Sequence, residues 1–192
     1  MSATTGKVML MDKDPAEFSF DEYGPLIGVG NHDEHFWPLM TVYENLEFIA
    51  ICKGLDIGSQ EFDNTKRMII ETLQLSEYTL TYARDLSGGN KRKLVCAMAL
   101  IVCPSMLFLD EPTIGMDASS RIKLYEFLHK LKDTSILMTS SRTEEIEIMC
   151  SKVGVMINGM LVEFENVKEL KDRVRGGYTI VFKQSVIQCT DV

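Results

Sequence analysis

Short apolar runs of strand length alternate with segments of helical periodicity along this chain, predicting an α/β fold with a mainly parallel sheet. Three observations carry the prediction. Helical segments place apolar residues at i, i+3 and i+4; the runs between them are short and continuously apolar; and 192 residues at 45% hydrophobic suffice for one substantial core. Residues 1–164 are read as the main domain, with 44–103 as a helical subdomain inside it and 165–192 as a small C-terminal α+β extension.

Lys7–Met11 reads as a first short strand, closed by the turn-rich Asp12-Lys13-Asp14-Pro15. Pro25–Val29 reads as a second, leading into a polar loop from Gly30 to His35. Glu44–Lys53 is predicted helical with Leu46, Ile49 and Ala50 on one face, and Asp63–Leu73 repeats the pattern with Met68, Ile69 and Leu73. After Ser87-Gly88-Gly89, the residues Leu94, Ala97, Met98 and Ile101 form a helical stripe that Pro104 stops. Met106–Leu109 is a continuous apolar strand of the kind covered on both faces of a parallel sheet. Asp117 is placed to cap a helix carrying Leu124, Phe127, Leu128 and Leu131. Ser135–Ser140 is the next strand, and Thr143–Cys150 a short helix whose acidic run reads as a solvated face. From Val153 the pattern changes: Val153–Ile157, Asn158-Gly159 and Met160–Phe164 predict a hairpin with a type I′ turn. A helix over Val167–Val174 and a strand over Tyr178–Phe182 complete the chain.

A net charge of −8 argues against a nucleic-acid partner, which needs clustered Lys and Arg. Five cysteines at scattered spacings, with no Cys-x-x-Cys, read as free thiols of a reducing compartment. No secretory signal opens the chain. The longest apolar stretch, Cys96–Leu109, is shorter than the ~20 residues that cross a bilayer, so no transmembrane segment is expected.

Two motifs carry chemistry. Leu107-Phe108-Leu109-Asp110-Glu111-Pro112-Thr113 ends an apolar strand in adjacent carboxylates, at the usual ligand crevice of an open α/β sheet. One carboxylate suits Mg²⁺ and the next suits deprotonation of a water. Ser87-Gly88-Gly89 opens a helix with a hydroxyl and bare backbone N–H groups, an arrangement that suits a phosphate. Lys91, Arg92 and Lys93, just behind it, read as a solvated first turn. No Gly-x-x-x-x-Gly-Lys-[Ser/Thr] loop occurs in the sequence.

Taken together, Leu86-Ser87-Gly88-Gly89-Asn90-Lys91-Arg92-Lys93-Leu94 and Leu109-Asp110-Glu111-Pro112-Thr113 with Gly115-Met116-Asp117 resemble the signature, Walker B and D-loop of ABC-transporter nucleotide-binding domains. The Asn-Lys-Arg-Lys form of the signature is similar to the A subfamily of lipid exporters, as is Gly177-Tyr178-Thr179-Ile180. The resemblance implies a P-loop NTPase-like ABC ATPase core that binds ATP with Mg²⁺. It implies head-to-tail pairing with a second nucleotide-binding cassette, and attachment to transmembrane domains at the cytoplasmic face of a membrane. Asp110 becomes the Mg²⁺ carboxylate and Glu111 the general base. Ser87, Gly88 and Gly89 face the γ-phosphate held by the partner cassette, and Asp117 crosses the seam between cassettes. The segment from Glu44 to Tyr82, and Trp37 before it, adjoin the membrane domains; for Trp37 a core position is an equal reading.

Three positions depart from the family pattern. Thr5-Gly6-Lys7-Val8 resembles the segment following Walker A, which places the phosphate loop ahead of Met1. The Q-loop glutamine position reads as His32, and the switch-histidine position as Ser140. The expected function is an ATPase cassette driving lipid transport. The alternative is a degenerate cassette whose signature turn completes a partner's ATP site without hydrolysis at its own.

Overall fold

In the computed structural model, residues 5–10, 13–14, 17, 19–33 and 35–174 are described, and they divide into two compact units, residues 1–141 and 142–192. That division falls earlier than the boundary expected after 164. In the first unit, a one-turn helix α1 (Phe20–Tyr23) precedes β1 (Ile27–Gly30), α2 (Val42–Cys52), α3 (Gln60–Thr72), α4 (Gly88–Leu100), β2 (Met106–Asp110), α5 (Ala118–Lys130) and β3 (Ser135–Thr139). The second unit holds α6 (Thr143–Met149), β4 (Lys152–Ile157), β5 (Met160–Asn166) and α7 (Val167–Val174).

Of the segment expected as a strand at Lys7–Met11, the described residues 7–10 form no strand, and Leu10 and Lys13 exchange backbone hydrogen bonds. The Tyr178–Phe182 strand and Gly177 lie outside the described residues.

β1, β2 and β3 form a parallel sheet in that order, with Gly28 opposite Leu107 and Leu107 opposite Ile136. A side chain on Gly28 would collide with the Ala99 carbonyl at 2.2 Å, so glycine there lets α4 lie directly on β1. Leu107 and Leu109 are buried on that face, together with Leu94, Ala97, Met98 and Ile101 of the predicted stripe. The opposite face carries the row Val29, Phe108 and Leu137, of which Val29 is 50% and Leu137 64% exposed. Cover on both faces was expected for β2. Among the described residues, the helical cover lies on the α4 side.

α2 and α3 pack against α4. Thr41 and Glu44 form a reciprocal capping box at the start of α2, and Ser59 caps α3. Asn45, fully buried, accepts from Trp37 N–H at 2.8 Å and donates to the carbonyls of Trp37, Met40 and Thr41. It is the polar pin of the loop before α2. Lys53, at the end of that helix, donates to the carbonyls of Gly24 and Ile27 and steadies the entry to β1. Met68, assigned to the buried face of α3, is 46% exposed, while Ile70 is buried in its stead.

In the second unit, Asn158 and Gly159 both take positive φ between β4 and β5, as a type I′ hairpin requires. The acidic run of α6 is not uniformly solvated. Glu145 is 4% exposed and lies 3.7 Å from Arg142, whereas Ile148 is exposed.

Candidate functional site

β2 delivers Asp110 to the C-terminal edge of the sheet, where it is exposed, and the chain leaves the sheet through half-buried Glu111. Glu111 has φ 46°, a left-handed conformation that strains a residue bearing a Cβ. Both ends of its backbone are held. Its N–H is shared between the Thr139 carbonyl at 3.2 Å and the Thr139 hydroxyl at 3.0 Å, and its carbonyl accepts from Arg92 Nε at 3.1 Å. The Thr139 hydroxyl donates in turn to Asp110 Oδ1 at 2.5 Å. A single threonine at the tip of β3 therefore holds the Asp110 carboxylate and the Glu111 backbone.

The hydroxyl that reaches Glu111 Oε2, at 3.4 Å, belongs to Ser141, one residue beyond the Ser140 picked out from the sequence.

Ser87 sits at the N-cap of α4 with extended backbone angles, and its hydroxyl accepts from Asn90 N–H at 3.3 Å. Ser87 and Gly88 are exposed and Gly89 is half-buried. The two glycines do different work. A Cβ on Gly88 would meet nothing within 4 Å, so its backbone faces open space. A Cβ on Gly89 would lie 2.6 Å from the Gly115 carbonyl, in the loop that follows Glu111. Cys96 fastens the same loop to α4 through a contact with the Pro112 carbonyl, and burial pushes that thiol up to about 12.

Arg92 and Lys93 overturn the expectation of a solvated first turn, at 5% and 6% exposed. From Leu94 to Leu100 every residue of α4 is buried, so the helix has no wet side to hold them. That all-round apolar sequence was the available signal. Arg92 Nη1 donates to the carbonyls of Asn31 at 2.5 Å and His32 at 3.1 Å, joining the loop after β1 to Glu111. Lys93 lies 3.7 Å from Asp117.

Asp117 caps α5, accepting from Ser120 N–H at 2.9 Å and from the Ser120 hydroxyl. These Ser120 bonds hold its carboxyl down at about 2, assisted by Lys93. The Ser120 hydroxyl also lies 2.9 Å from Gln74 Oε1, just past the end of α3. The helical layer is thereby connected to Asp117. His32 is exposed, and its carbonyl, through Arg92, is what ties it to the site. Beside it opens an apolar cleft of about 480 Å³, lined by Ile27, Val29, Trp37, Ile49 and Met98. Trp37 packs edge-on against Phe48 at 4.3 Å and remains 37% exposed, so it is half core and half surface.

The structure thus gathers Asp110, Glu111, Thr139 and Ser141, with His32 linked through Arg92. Ser87 and Gly88 stand apart on the open end of α4, with Asp117 connected to that helix through Lys93.

A sequence model of the ABC transporter family matches residues 1–114. This chain belongs to the ABC transporter family. The cassette is similar to ATP-binding cassette sub-family A member 2 of Homo sapiens, 36% identical over 146 residues, which is 75% of this chain and 6% of that protein. It is also similar to the phospholipid-transporting ATPase ABCA7 of Homo sapiens, 35% identical over 159 residues, 82% of this chain and 7% of that protein. The cassette therefore spans a small fraction of the length of these A-subfamily relatives. Among solved structures, an ATP-binding subunit of an ABC transporter superposes with a TM-score of 0.81 at 18% identity, covering 91% of this chain and 73% of that one. A dimeric bacterial ABC transporter cassette superposes with a TM-score of 0.75 at 21% identity, covering 85% and 74%. The fold is that of an ABC transporter nucleotide-binding cassette. Among the described residues, no helix is long and apolar enough to cross a membrane.

Proposed function

We propose that the cassette binds ATP and hydrolyses it in an A-subfamily lipid transporter, with Glu111 as general base and Asp110 as the Mg²⁺ carboxylate. The observation that carries this reading is that Thr139 holds both the Asp110 carboxylate and the Glu111 backbone N–H at the open end of β2. The donor set fits the metal. Among the described residues no cluster of three or more His, Cys, Asp or Glu occurs, and Mg²⁺ is commonly held by one or two carboxylates with phosphate and water completing its shell. Bound ATP and Mg²⁺ supply a polarised terminal phosphate. Glu111 would accept a proton from water at a carboxylate oxygen, and its tethered backbone would keep that oxygen in place.

The exposed backbone of Ser87 and Gly88 at the positive end of α4 suits the phosphates of a nucleotide on a second cassette, met head to tail. Asp117 and Gly89 would form the seam on this side. The apolar cleft beside Trp37 suits a contact from transmembrane domains, and on this reading the cassette works at the cytoplasmic face of a membrane. Phosphate-cradling residues of the Gly-Lys-[Ser/Thr] kind are not among those of this sequence, so tests belong in the full-length protein. There, Glu111→Gln is expected to lower ATP hydrolysis by about 100-fold or more while nucleotide binding persists. Unchanged hydrolysis would overturn the assignment.

A second reading has its own support. Ser141, a hydroxyl and not a titratable imidazole, lies against Glu111, and His32 occupies the Q-loop position. On this reading the cassette completes a partner's ATP site and turns over little ATP itself. It predicts that Ser87→Arg abolishes hydrolysis in the full-length protein, whereas Glu111→Gln leaves most of it.

A further inference from the structure

Arg92 is a buried cation to which the chemistry above gives no role. Its side chain is 5% exposed and directed at three backbone carbonyls: Glu111 through Nε, and Asn31 and His32 through Nη1. Its Nη2 is buried without an acceptor among the described residues. Burying a guanidinium with one amine unsatisfied is a poor way to stabilise a helix, and an apolar side chain of similar volume would serve stability better. What the arrangement does achieve is a fixed spacing between two loops about 80 residues apart in the chain. The rigid fork of arginine is suited to this, since its Nε and Nη donors keep their mutual geometry while a lysine offers one swivelling point. One end of that fork grips the carbonyl of Glu111, whose left-handed φ of 46° needs outside restraint.

We propose that Arg92 is a positioning residue for hydrolysis, locking the Glu111 peptide in its left-handed conformation and joining it to the Asn31–His32 loop. The proposal rests on the reading of Glu111 as general base. Arg92 does not act on nucleotide itself, because its bonded donors are engaged by the protein's own carbonyls. The Asn31–His32 loop borders the cleft at Trp37, so a displacement there reaches Glu111 through one side chain.

The test compares wild type, Arg92→Lys and Glu111→Gln in the full-length protein, by steady-state ATP hydrolysis and by hydrogen exchange over segments 27–35 and 107–115. Arg92→Lys is expected to lower kcat by about tenfold or more, with KM for ATP changed by less than about twofold. Exchange is expected to quicken in both segments together while the rest of α4 keeps its protection. A kcat within about twofold of wild type would overturn the proposal, as would faster exchange spread along α4 with activity tracking the folded fraction. Should Arg92→Lys not fold, Arg92→Gln is read by the same criteria. If Glu111→Gln is inactive and Arg92→Lys fully active, the positioning role alone falls. If Glu111→Gln retains hydrolysis, both assignments fall together.

Discussion

Gly89 and Gly115 meet backbone to backbone, and a methyl group on Gly89 would come within 2.6 Å of the Gly115 carbonyl. Gly88, one residue earlier, faces nothing within 4 Å. The two glycines of the signature turn therefore answer to different constraints. Gly89→Ala is expected to destabilise the cassette by about 1–3 kcal/mol, because α4 or the 111–117 loop must shift. Gly88→Ala is expected to leave stability unchanged or slightly raised, while lowering ATP use in the full-length protein by filling the open face of the turn. Thermal unfolding and hydrolysis rates of the two variants separate the effects, and equal destabilisation by both would contradict this division.

Glu111 is held in a conformation that glycine adopts without strain. Glu111→Gly is expected to stabilise the fold by about 1 kcal/mol and to abolish hydrolysis. Glu111→Val, bulky at the β-carbon, is expected to destabilise it. Denaturant midpoints of the two variants against wild type provide the check; a Glu111→Gly protein less stable than wild type would show that the carboxylate's own contacts outweigh the backbone strain.

The Asp117 carboxyl is depressed from its ordinary 3.8 to about 2, chiefly by its bonds from Ser120. A group whose folded value is lowered contributes stability that is fully present above its unfolded pKa and lost as pH falls through the folded one. Asp117→Asn is therefore expected to be less stable than wild type at neutral pH, with the gap closing between about pH 4 and pH 2. Stability curves for both proteins across that window test the sign. A gap that widens toward acid would rule out the cap as its origin.

Asn45 satisfies one N–H and three carbonyls around the loop that carries Trp37. Asn45→Ala leaves those buried groups without their partner, and a loss of about 1–3 kcal/mol is expected. Trp37 is the chain's single tryptophan, so its fluorescence reports on the same loop. A red shift accompanying the stability loss is expected, and an unshifted spectrum would mean the loop keeps its shape by other contacts.

What could be read from the residues alone was governed by spacing and by chemical type. The α4 stripe, the cap at Asp117, the hairpin turn at Asn158-Gly159 and the exposed carboxylate at the end of β2 all rest on local patterns, and the structure reproduces them. Burial of Arg92 and Lys93 went unread, because charge in a first turn ordinarily means solvent, and the apolar run behind them was the one signal against it. What buries them is the packing of α4 against loops distant in sequence. Thr139 was not singled out either, since its role exists only once β3 pairs with β2 in register, setting it beside Asp110. Ser141, whose hydroxyl lies against Glu111, was not singled out, since that contact exists only once the end of β3 is folded beside β2. At Lys7–Met11 composition alone suggested a strand, and among the described residues of that segment none forms.

Thr139 also defines what sort of side chain its position will tolerate. Valine has nearly the same outline and would fill the same space, yet it can neither accept from the Glu111 amide nor donate to Asp110. Serine is smaller and keeps both bonds. At this place in the sheet, chemical identity outranks shape, so a substitution scored as mild by volume would release the Asp110 carboxylate and loosen the Glu111 peptide, whereas one that leaves a gap would spare them.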